Sequence, residues 1–510
     1  MKKLFALLLA VIMVMSLATT AFAAEMEETQ TGSITISNAI VGQKYTVYKM
    51  ATLESYSGTN YSYSVNDYWK TFFQNQNVAV DSTNHLAYNG TTILSDSKFA
   101  AAAVVHATAT NANQENTPSQ EIIAGSNEIV FENLPLGYYC VDSTMGTVCA
   151  LTHTNSDVTV LEKNVPPVID KRVMEDSTGA YGKTNDDDLG ATINFRILVT
   201  KNAGGTNYVV GDKLSEGLTF NEGSVTVAYG STTAGTSDFT VVMVEGLSDE
   251  QLAGYVGQNN VAAFEDYTFL VVLSNDKVEG MVNGGEIRID YTATLNENAV
   301  IGGNGNPNEA NMVYGNEPKS IMTPVGTTTY SWPFQVFKYH DVNGAKVALE
   351  GAKFSLYEQN PEEAGDEGVQ PMTFKYIGEE DGVDVYRHVH LAEGEDLVTV
   401  ITTNEAGKFR IEGLDSDVYY MKEVEAPAGY HMLRSMVEIR IGVLGAYSDT
   451  SLKYTVQNSV DGYIEVLNST GTVLPETGGM GTTLFYIFGG VMVAAALVLL
   501  VTKKRMTAEN

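Results

Sequence analysis

Three residues far apart in the chain, Lys338, Glu423 and Asn468, each stand in phase with the apolar members of an alternating run. The runs are Phe334-x-Val336-x-Lys338, Tyr419-x-Met421-x-Glu423 and Ile464-x-Val466-x-Asn468. Side chains on a strand alternate between faces, so all three polar groups are predicted to point into a core. A single such residue reads as a strand end whose head reaches water. Three of them on separate strands read as a set, because lysine and glutamate are almost never fully buried unless paired. Burial disfavours the charged forms, so both amine and carboxyl tend towards neutrality. A neutral amine is a nucleophile. A protonated carboxyl can polarise the asparagine carbonyl and relay protons. Attack on Asn468 would expel ammonia and leave a Lys338–Asn468 isopeptide bond, with proximity and desolvation supplying most of the rate.

The same logic recurs upstream with a different acid. Ile169-x-Lys171-x-Val173 puts Lys171 on an apolar face, and Tyr208-x-Val210-x-Asp212-x-Leu214 does so for Asp212. The run Asn308-x-Ala310-x-Met312-x-Tyr314-x-Asn316 offers two in-phase asparagines, Asn308 and Asn316, while Asn311 is expected to face outward. Strand parity alone leaves both open, and resemblance to a family whose members tend to show an N-x-A order here favours Asn308, which precedes Ala310.

These side chains must be positioned by strands. The 510 residues are rich in short apolar-alternating runs separated by Gly, Asn and Asp, and long helical periodicity is nearly absent between the two ends. That pattern predicts an all-β chain of three tandem Ig-like β-sandwich domains. Their expected spans are 32–164, 165–327 and 330–470, with Val165-Pro166-Pro167 as a stiff joint. A net charge of −32 argues against nucleic acid or anionic membrane as a partner. The two cysteines, Cys140 and Cys149, flank a strand–turn–strand pattern in which either a cross-strand disulfide or two buried thiols is sterically possible.

Both ends carry export signals. Residues 1–23 combine two lysines, an apolar core and Ala21-Phe22-Ala23, a secretory signal peptide with a cleavage site. Near the other end come Leu474-Pro475-Glu476-Thr477-Gly478, an apolar transmembrane segment at 482–502, and a basic cytoplasmic tail at 503–510 beginning Lys503-Lys504-Arg505. This order resembles the sorting signal of Gram-positive cell-wall proteins, which a sortase cleaves between Thr477 and Gly478.

Tyr419-Tyr420-Met421-Lys422-Glu423-Val424-Glu425-Ala426-Pro427-Ala428-Gly429-Tyr430 resembles the E-box of Gram-positive pilins, YxLxETxAPxGY, with Met421 for Leu and Val424 for Thr. Leu349-Glu350-Gly351-Ala352-Lys353-Phe354 resembles the LxGAxF stretch that follows the reactive lysine. The third segment is thus similar to a Cna B-type domain and the second to a Cna A-like domain. The whole chain resembles a sortase-assembled backbone (shaft) pilin. The resemblance implies Lys–Asn bonds promoted by Glu423 and Asp212. Val158-Thr159-Val160-Leu161-Glu162-Lys163-Asn164 resembles the pilin motif VxVYPKN, with Leu161 and Glu162 for Tyr and Pro and with Thr154 where a tryptophan is usual. Val158 and Val160 point inward by parity, so Lys163 is expected to point outward and to receive Thr477 of another subunit.

The implied function is a structural subunit of a covalently polymerised pilus, with pilus-class and housekeeping sortases, other pilin subunits and peptidoglycan as partners. A monomeric LPXTG wall-anchored adhesin binding a host surface ligand is the alternative. Neither cofactor nor metal is expected. His388-Val389-His390 is read as a pair of surface histidines and Asp186-Asp187-Asp188 as a solvated acidic turn. The sequence contains none of the common hydrolase, metalloprotease or nucleotide-binding motifs, so it is not read as an enzyme beyond crosslinking itself.

Overall fold

The computed structural model describes residues 30–57, 60–87, 97–108, 119–145, 150–154, 157–364, 368–389, 396–470 and 492–493. The expected signal peptide, Cys149, the expected sorting pentapeptide and all of the expected membrane segment except Met492 and Val493 lie outside them. No helix among the described residues is long and apolar enough to cross a membrane.

The first sandwich pairs a three-stranded and a five-stranded sheet. In the smaller one, Thr31–Ser37 lies between Glu128–Pro135 and Val158–Leu161, antiparallel to the first and parallel to the second. Ile34, Ile36, Tyr45, Val47, Phe131 and Tyr139 fill the space between the sheets. Two helices, Asp67–Asn75 and Ser97–Thr108, add a second core that strand patterning did not announce. Asn66 caps the first of them, its side chain accepting from the Trp69 amide at 3.0 Å. Its buried face is Tyr68, Trp69, Phe72 and Phe73, the i, i+4 spacing of an amphipathic helix.

The middle sandwich builds one sheet around Val168–Met174, Thr192–Lys201 and Gly285–Leu295. The other orders Thr184–Asp186, Val325–Tyr330, Asn306–Tyr314, Val209–Leu214, Phe269–Leu273 and Phe239–Met243. Alternation is strict where the core is deepest: Ile193, Phe195, Ile197 and Val199 are all buried along one strand. The outer face of the second sheet is covered by the helices Asp249–Val256 and Val261–Phe264, which bury Val209, Leu270 and Val313 beneath Leu252, Val256 and Phe264. Asn311 therefore does not face solvent. It is 3% exposed, because a face that alternation marks as outward is here roofed by helices.

The C-terminal sandwich has Trp332–Val342 between Lys408–Leu414, antiparallel, and Tyr463–Leu467, parallel, so its first and last strands are neighbours. Lys353–Tyr357, Val418–Glu425 and Val437–Leu444 form the centre of the facing sheet.

A single residue, Ser331, links the last strand of the middle sandwich to the first of the next. The joint is tight. The Tyr447 carbonyl accepts from the Lys183 and Thr184 amides at 2.7 and 3.0 Å, and a Cβ on Gly182 would lie 2.2 Å from that oxygen. Gly182→Ala should therefore force the two sandwiches apart, at an overpacking cost of roughly 1–3 kcal/mol. Denaturant unfolding and trypsin cleavage near Ser331 measure this. Wild-type stability and wild-type protection would show that the contact is looser than its geometry.

Candidate functional site

Two sets of polar side chains are enclosed in the cores. In the C-terminal sandwich, Lys338, Glu423 and Asn468 are 0%, 2% and 1% exposed. Lys338 pairs with Val466 across parallel strands, and the Asn468 amide donates to the Tyr339 carbonyl at 2.9 Å, so the last strand delivers Asn468 beside Lys338. Glu423 comes from the opposite sheet, where it pairs with Phe354. The Lys338 amine donates to Asn468 Oδ1 and lies 3.2 Å from Glu423 Oε1, which also accepts from Asn468 Nδ2 at 2.9 Å. The second Glu423 oxygen accepts from the Leu433 amide at 2.7 Å. Phe354 covers the amine, with its ring centre 5.4 Å away. Burial pushes the Lys338 pKa below the ordinary lysine value, against the opposing pull of Glu423.

In the middle sandwich, Lys171 and Asp212 are fully buried and Asn308 is 1% exposed. Here the lysine stands on one sheet, while Asp212 and Asn308 stand on adjacent strands of the other. The Lys171 amine donates to Asp212 Oδ2 and contacts the Tyr291 hydroxyl at 2.6 Å. Tyr291 in turn donates to Asp212 Oδ2 at 2.8 Å and accepts from Asn308 Nδ2 at 2.8 Å. Desolvation lowers the Lys171 pKa and raises those of Asp212 and Tyr291. Asp212 Oδ1 and Asn308 Oδ1 are both buried with no partner among the described residues.

Tyr291 was missed by sequence reasoning. It occupies an ordinary core position of Ile287-x-Ile289-x-Tyr291, and the one available signal was a hydroxyl needing a partner in an apolar stripe. Asn316 does not reach Lys171. The strand ends at Tyr314, so parity no longer governs Asn316; its exposed side chain accepts from Asn207 Nδ2 at 3.0 Å, and its amide donates to the Thr144 carbonyl at 2.8 Å.

Lys163 is exposed between two buried neighbours, Glu162 and Asn164. Glu162 Oε1 turns inward and accepts from the Lys163 and Asn164 amides, both at 2.9 Å. Asn164 packs on Gly204, whose φ of +101° and missing Cβ allow that approach, and the Val165 amide donates to the Ala203 carbonyl at 2.9 Å. Lys163 thus sits at the joint of the first two sandwiches. Cys140 is buried, but Cys149 falls outside the described residues, so their pairing does too.

Two expectations are overturned at the next joint. Asp186-Asp187-Asp188 is not a solvated turn: Asp186 is fully buried and accepts from Trp332 Nε1, the Tyr447 hydroxyl and the Ser416 amide at 2.7, 2.8 and 3.0 Å. His388 is not a surface histidine, being 4% exposed, while His390 lies outside the described residues. For Asp186 the donors all come from the neighbouring sandwich, whereas His388 is packed against Phe374 and held by the Thr373 carbonyl of its own sandwich. A cavity of about 400 Å³ opens at this joint, lined by His388, Arg387, Lys375, Leu295 and Glu297, away from both enclosed lysines.

Residues 335–456 match the prealbumin-like fold domain SpaA, and residues 467–506 match the LPXTG cell wall anchor motif. The trypsin-resistant surface T6 protein of Streptococcus pyogenes serotype M6 is 26% identical over 303 residues, covering 58% of this chain. The match spans 49% of that relative, about half its length. Among solved structures, the T6 backbone pilin of serotype M6 Streptococcus pyogenes has a TM-score of 0.49 at 17% identity, covering 88% of this chain and all of that one. The full-length major pilin SpaD of Corynebacterium diphtheriae has a TM-score of 0.45 at 18% identity, covering 81% and 92%.

The lowered pKa of Lys338 can be checked in a variant that keeps the amine free. In Asn468→Ala the unfolded chain binds more protons than the folded one between the folded lysine pKa and the unfolded value of about 10.4, so stability should rise with pH in that window. Tm should increase as pH rises towards about 10, and a further Lys338→Met replacement should flatten the slope. A Tm of Asn468→Ala that is flat with pH would contradict the burial of a neutral amine. From its own matched segments, the chain carries a prealbumin-like fold domain followed by an LPXTG cell wall anchor motif.

Proposed function

We propose that this chain is a structural subunit of a covalently polymerised surface pilus, stiffened by two self-made isopeptide bonds and anchored to the cell wall. The observation that carries the reading is the enclosure of two lysine–acid–asparagine sets in a chain that also bears an LPXTG anchor. A buried ion pair alone would be weak support for stability. A buried neutral amine against an asparagine amide has a chemical use.

In the middle set the Lys171 amine attacks Cγ of Asn308. The Nζ–Cγ bond forms, the Cγ–Nδ2 bond breaks, and the proton lost by the amine passes through Asp212 to the departing nitrogen, which leaves as ammonia. A proton on Asp212 would supply a donor of the kind that both orphaned oxygens lack, and it would polarise the Asn308 carbonyl at the moment of attack. Tyr291 holds the acid and the amide together. Glu423 plays the acid's part for Lys338 and Asn468. The two bonds would differ mechanically: Lys171–Asn308 joins opposite sheets, whereas Lys338–Asn468 staples first and last strands within one sheet.

Each bond releases one ammonia of about 17 Da, so the ectodomain from Glu25 to Thr470 should be lighter than its sequence mass by ~34 Da. Glu423→Ala should remove only the C-terminal bond and Asp212→Ala only the middle one, because the two sets share no core. Tyr291→Phe should slow the middle bond alone. Each loss should reduce stability by roughly 2–5 kcal/mol, by analogy with a long-loop disulfide. An unmodified wild-type mass would sink both bonds.

Lys163 is the proposed acceptor for Thr477, joined by a pilus-class sortase, with a housekeeping sortase attaching the finished polymer to peptidoglycan. Exposure and a rigid joint at its base suit an amine that must enter another protein's active site. Lys163→Ala should abolish covalent ladders in boiled cell-wall extracts while leaving both internal bonds and wall anchoring intact. Ladders that persist, with Thr477 mapped to another lysine, would displace the assignment. A wild-type chain that never forms ladders would be a monomeric wall-anchored adhesin instead.

A further inference from the structure

The strand Val158–Leu161 closes the first sandwich and the strand Val168–Met174 opens the middle one. The link between them, 162–167, carries Lys163. The Glu162 amide donates to the Ser37 carbonyl at 2.9 Å, just past the last pair of the parallel ladder, Ser37 with Leu161. The next two amides have left that ladder. Backbone donors that leave a strand need another partner. Those of Lys163 and Asn164 share one atom, Glu162 Oε1, 2.9 Å from each. A glutamate is rarely as buried as Glu162, which is 6% exposed, unless its oxygens are partnered. Here the partners are the amides of the linkage lysine and the residue after it.

Both flanks of this arrangement are fixed. On the inner side, Tyr45 lines the same small pocket as Glu162, and its hydroxyl accepts from the Ile40 amide at 2.9 Å. Burial raises the Tyr45 pKa above the ordinary tyrosine value and Glu162 adds to the rise, so the phenol stays protonated. Downstream, the middle sandwich holds the chain. Asn164 packs on Gly204, the Val165 amide donates to the Ala203 carbonyl at 2.9 Å, and the Pro166 carbonyl accepts from Asn202 Nδ2 at 2.7 Å. Glu162 and Asn164 are buried and Lys163 between them is exposed, so the same contacts that pin the backbone turn the lysine outward.

We infer that Glu162 is a positioning residue for Lys163, holding the backbone of the linkage lysine in one place and direction so that a sortase acyl-enzyme can reach its amine. This role rests on the reading of Lys163 as the acceptor of Thr477. In that transfer a bond forms between Lys163 Nζ and the Thr477 carbonyl carbon, the bond from that carbon to the enzyme breaks, and the amine's proton passes to the released enzyme group. Glu162 touches none of the reacting atoms. Its effect is on where the amine is found. A lysine side chain already samples many rotamers on its flexible stem. A backbone that also moved would spread the amine over a larger volume and lower its effective concentration at the enzyme. Anchoring two consecutive amides to one buried oxygen removes that second freedom.

One arm of the test needs no enzyme. In the whole ectodomain, hydrogen exchange at the Lys163 and Asn164 amides should be slow. Glu162→Ala should speed it roughly tenfold or more at those two positions, while exchange along Val158–Leu161 holds. The other arm uses the ectodomain as acceptor, with a donor peptide carrying the LPETG motif and the pilus-class sortase of the same cell. Transfer to Lys163 should fall roughly tenfold or more in kcat/KM in Glu162→Ala, chiefly through kcat. Glu162→Gln keeps an accepting oxygen at the same reach and should restore both slow exchange and transfer. Fast exchange at the two amides of the wild-type chain would overturn the proposal, even if Glu162→Ala folds poorly. Undiminished transfer by a folded Glu162→Ala would do the same, as would a loss that Glu162→Gln fails to recover. A wild-type chain that accepts no donor at Lys163 despite slow exchange would overturn the acceptor reading and, with it, this role.

Discussion

Burying a lysine amine is the constraint around which the middle and C-terminal sandwiches are organised. An ammonium taken out of water loses several kcal/mol of hydration, and a nearby carboxylate repays this only when the remaining hydrogen bonds are also made. Both sandwiches meet the problem by surrounding the amine with an acid, an amide and an aromatic ring. Phe354 covers Lys338, while Phe195 and Tyr291 flank Lys171 at 5.4 and 5.1 Å. The apolar walls that make the charge costly are the same ones that favour the neutral amine and keep water away from it. Stability and the proposed chemistry therefore draw on one feature: the first strand of each sandwich must carry the lysine to within reach of an amide that arrives late in the chain.

The two sets solve the geometry differently. In the C-terminal sandwich, parallel pairing of the first and last strands puts Lys338 and Asn468 side by side, and Glu423 only has to reach across the core. In the middle sandwich the lysine lies on one sheet and its partners on the other, so a tyrosine hydroxyl fills the gap between acid and amide. Tension along the chain would load these arrangements in distinct ways. A staple between neighbouring strands resists their sliding, whereas a tie between sheets resists their separation.

Stiffness between sandwiches comes from close backbone approach. Gly182 against the Tyr447 carbonyl and Gly204 against Asn164 leave no room for a side chain. Asp186 adds a buried carboxylate held by donors that all come from the C-terminal sandwich. These contacts turn segments that look like polar linkers into parts of a continuous interior.

Local periodicity was enough to read the strand character, the inward phase of Lys171, Asp212, Lys338, Glu423 and Asn468, and the outward phase of Lys163. A period of two is a property of a few consecutive residues and survives without knowledge of their neighbours. The cell wall anchor motif was legible for the same reason, since it is a contiguous run. What needed the tertiary structure was anything set by distance between segments. Parity could not separate Asn308 from Asn316, because the strand stops at Tyr314 and only cross-strand packing brings Asn308 to Tyr291. It misplaced Asn311, because a helical layer roofs the outer face, and it overlooked the helices whose aromatic side chains fill the first sandwich. Asp188 and His388 each looked like solvated surface when read alone. They lie together at a joint only because two sandwiches dock, and docking is decided by the complementarity of whole surfaces rather than by any short stretch of sequence.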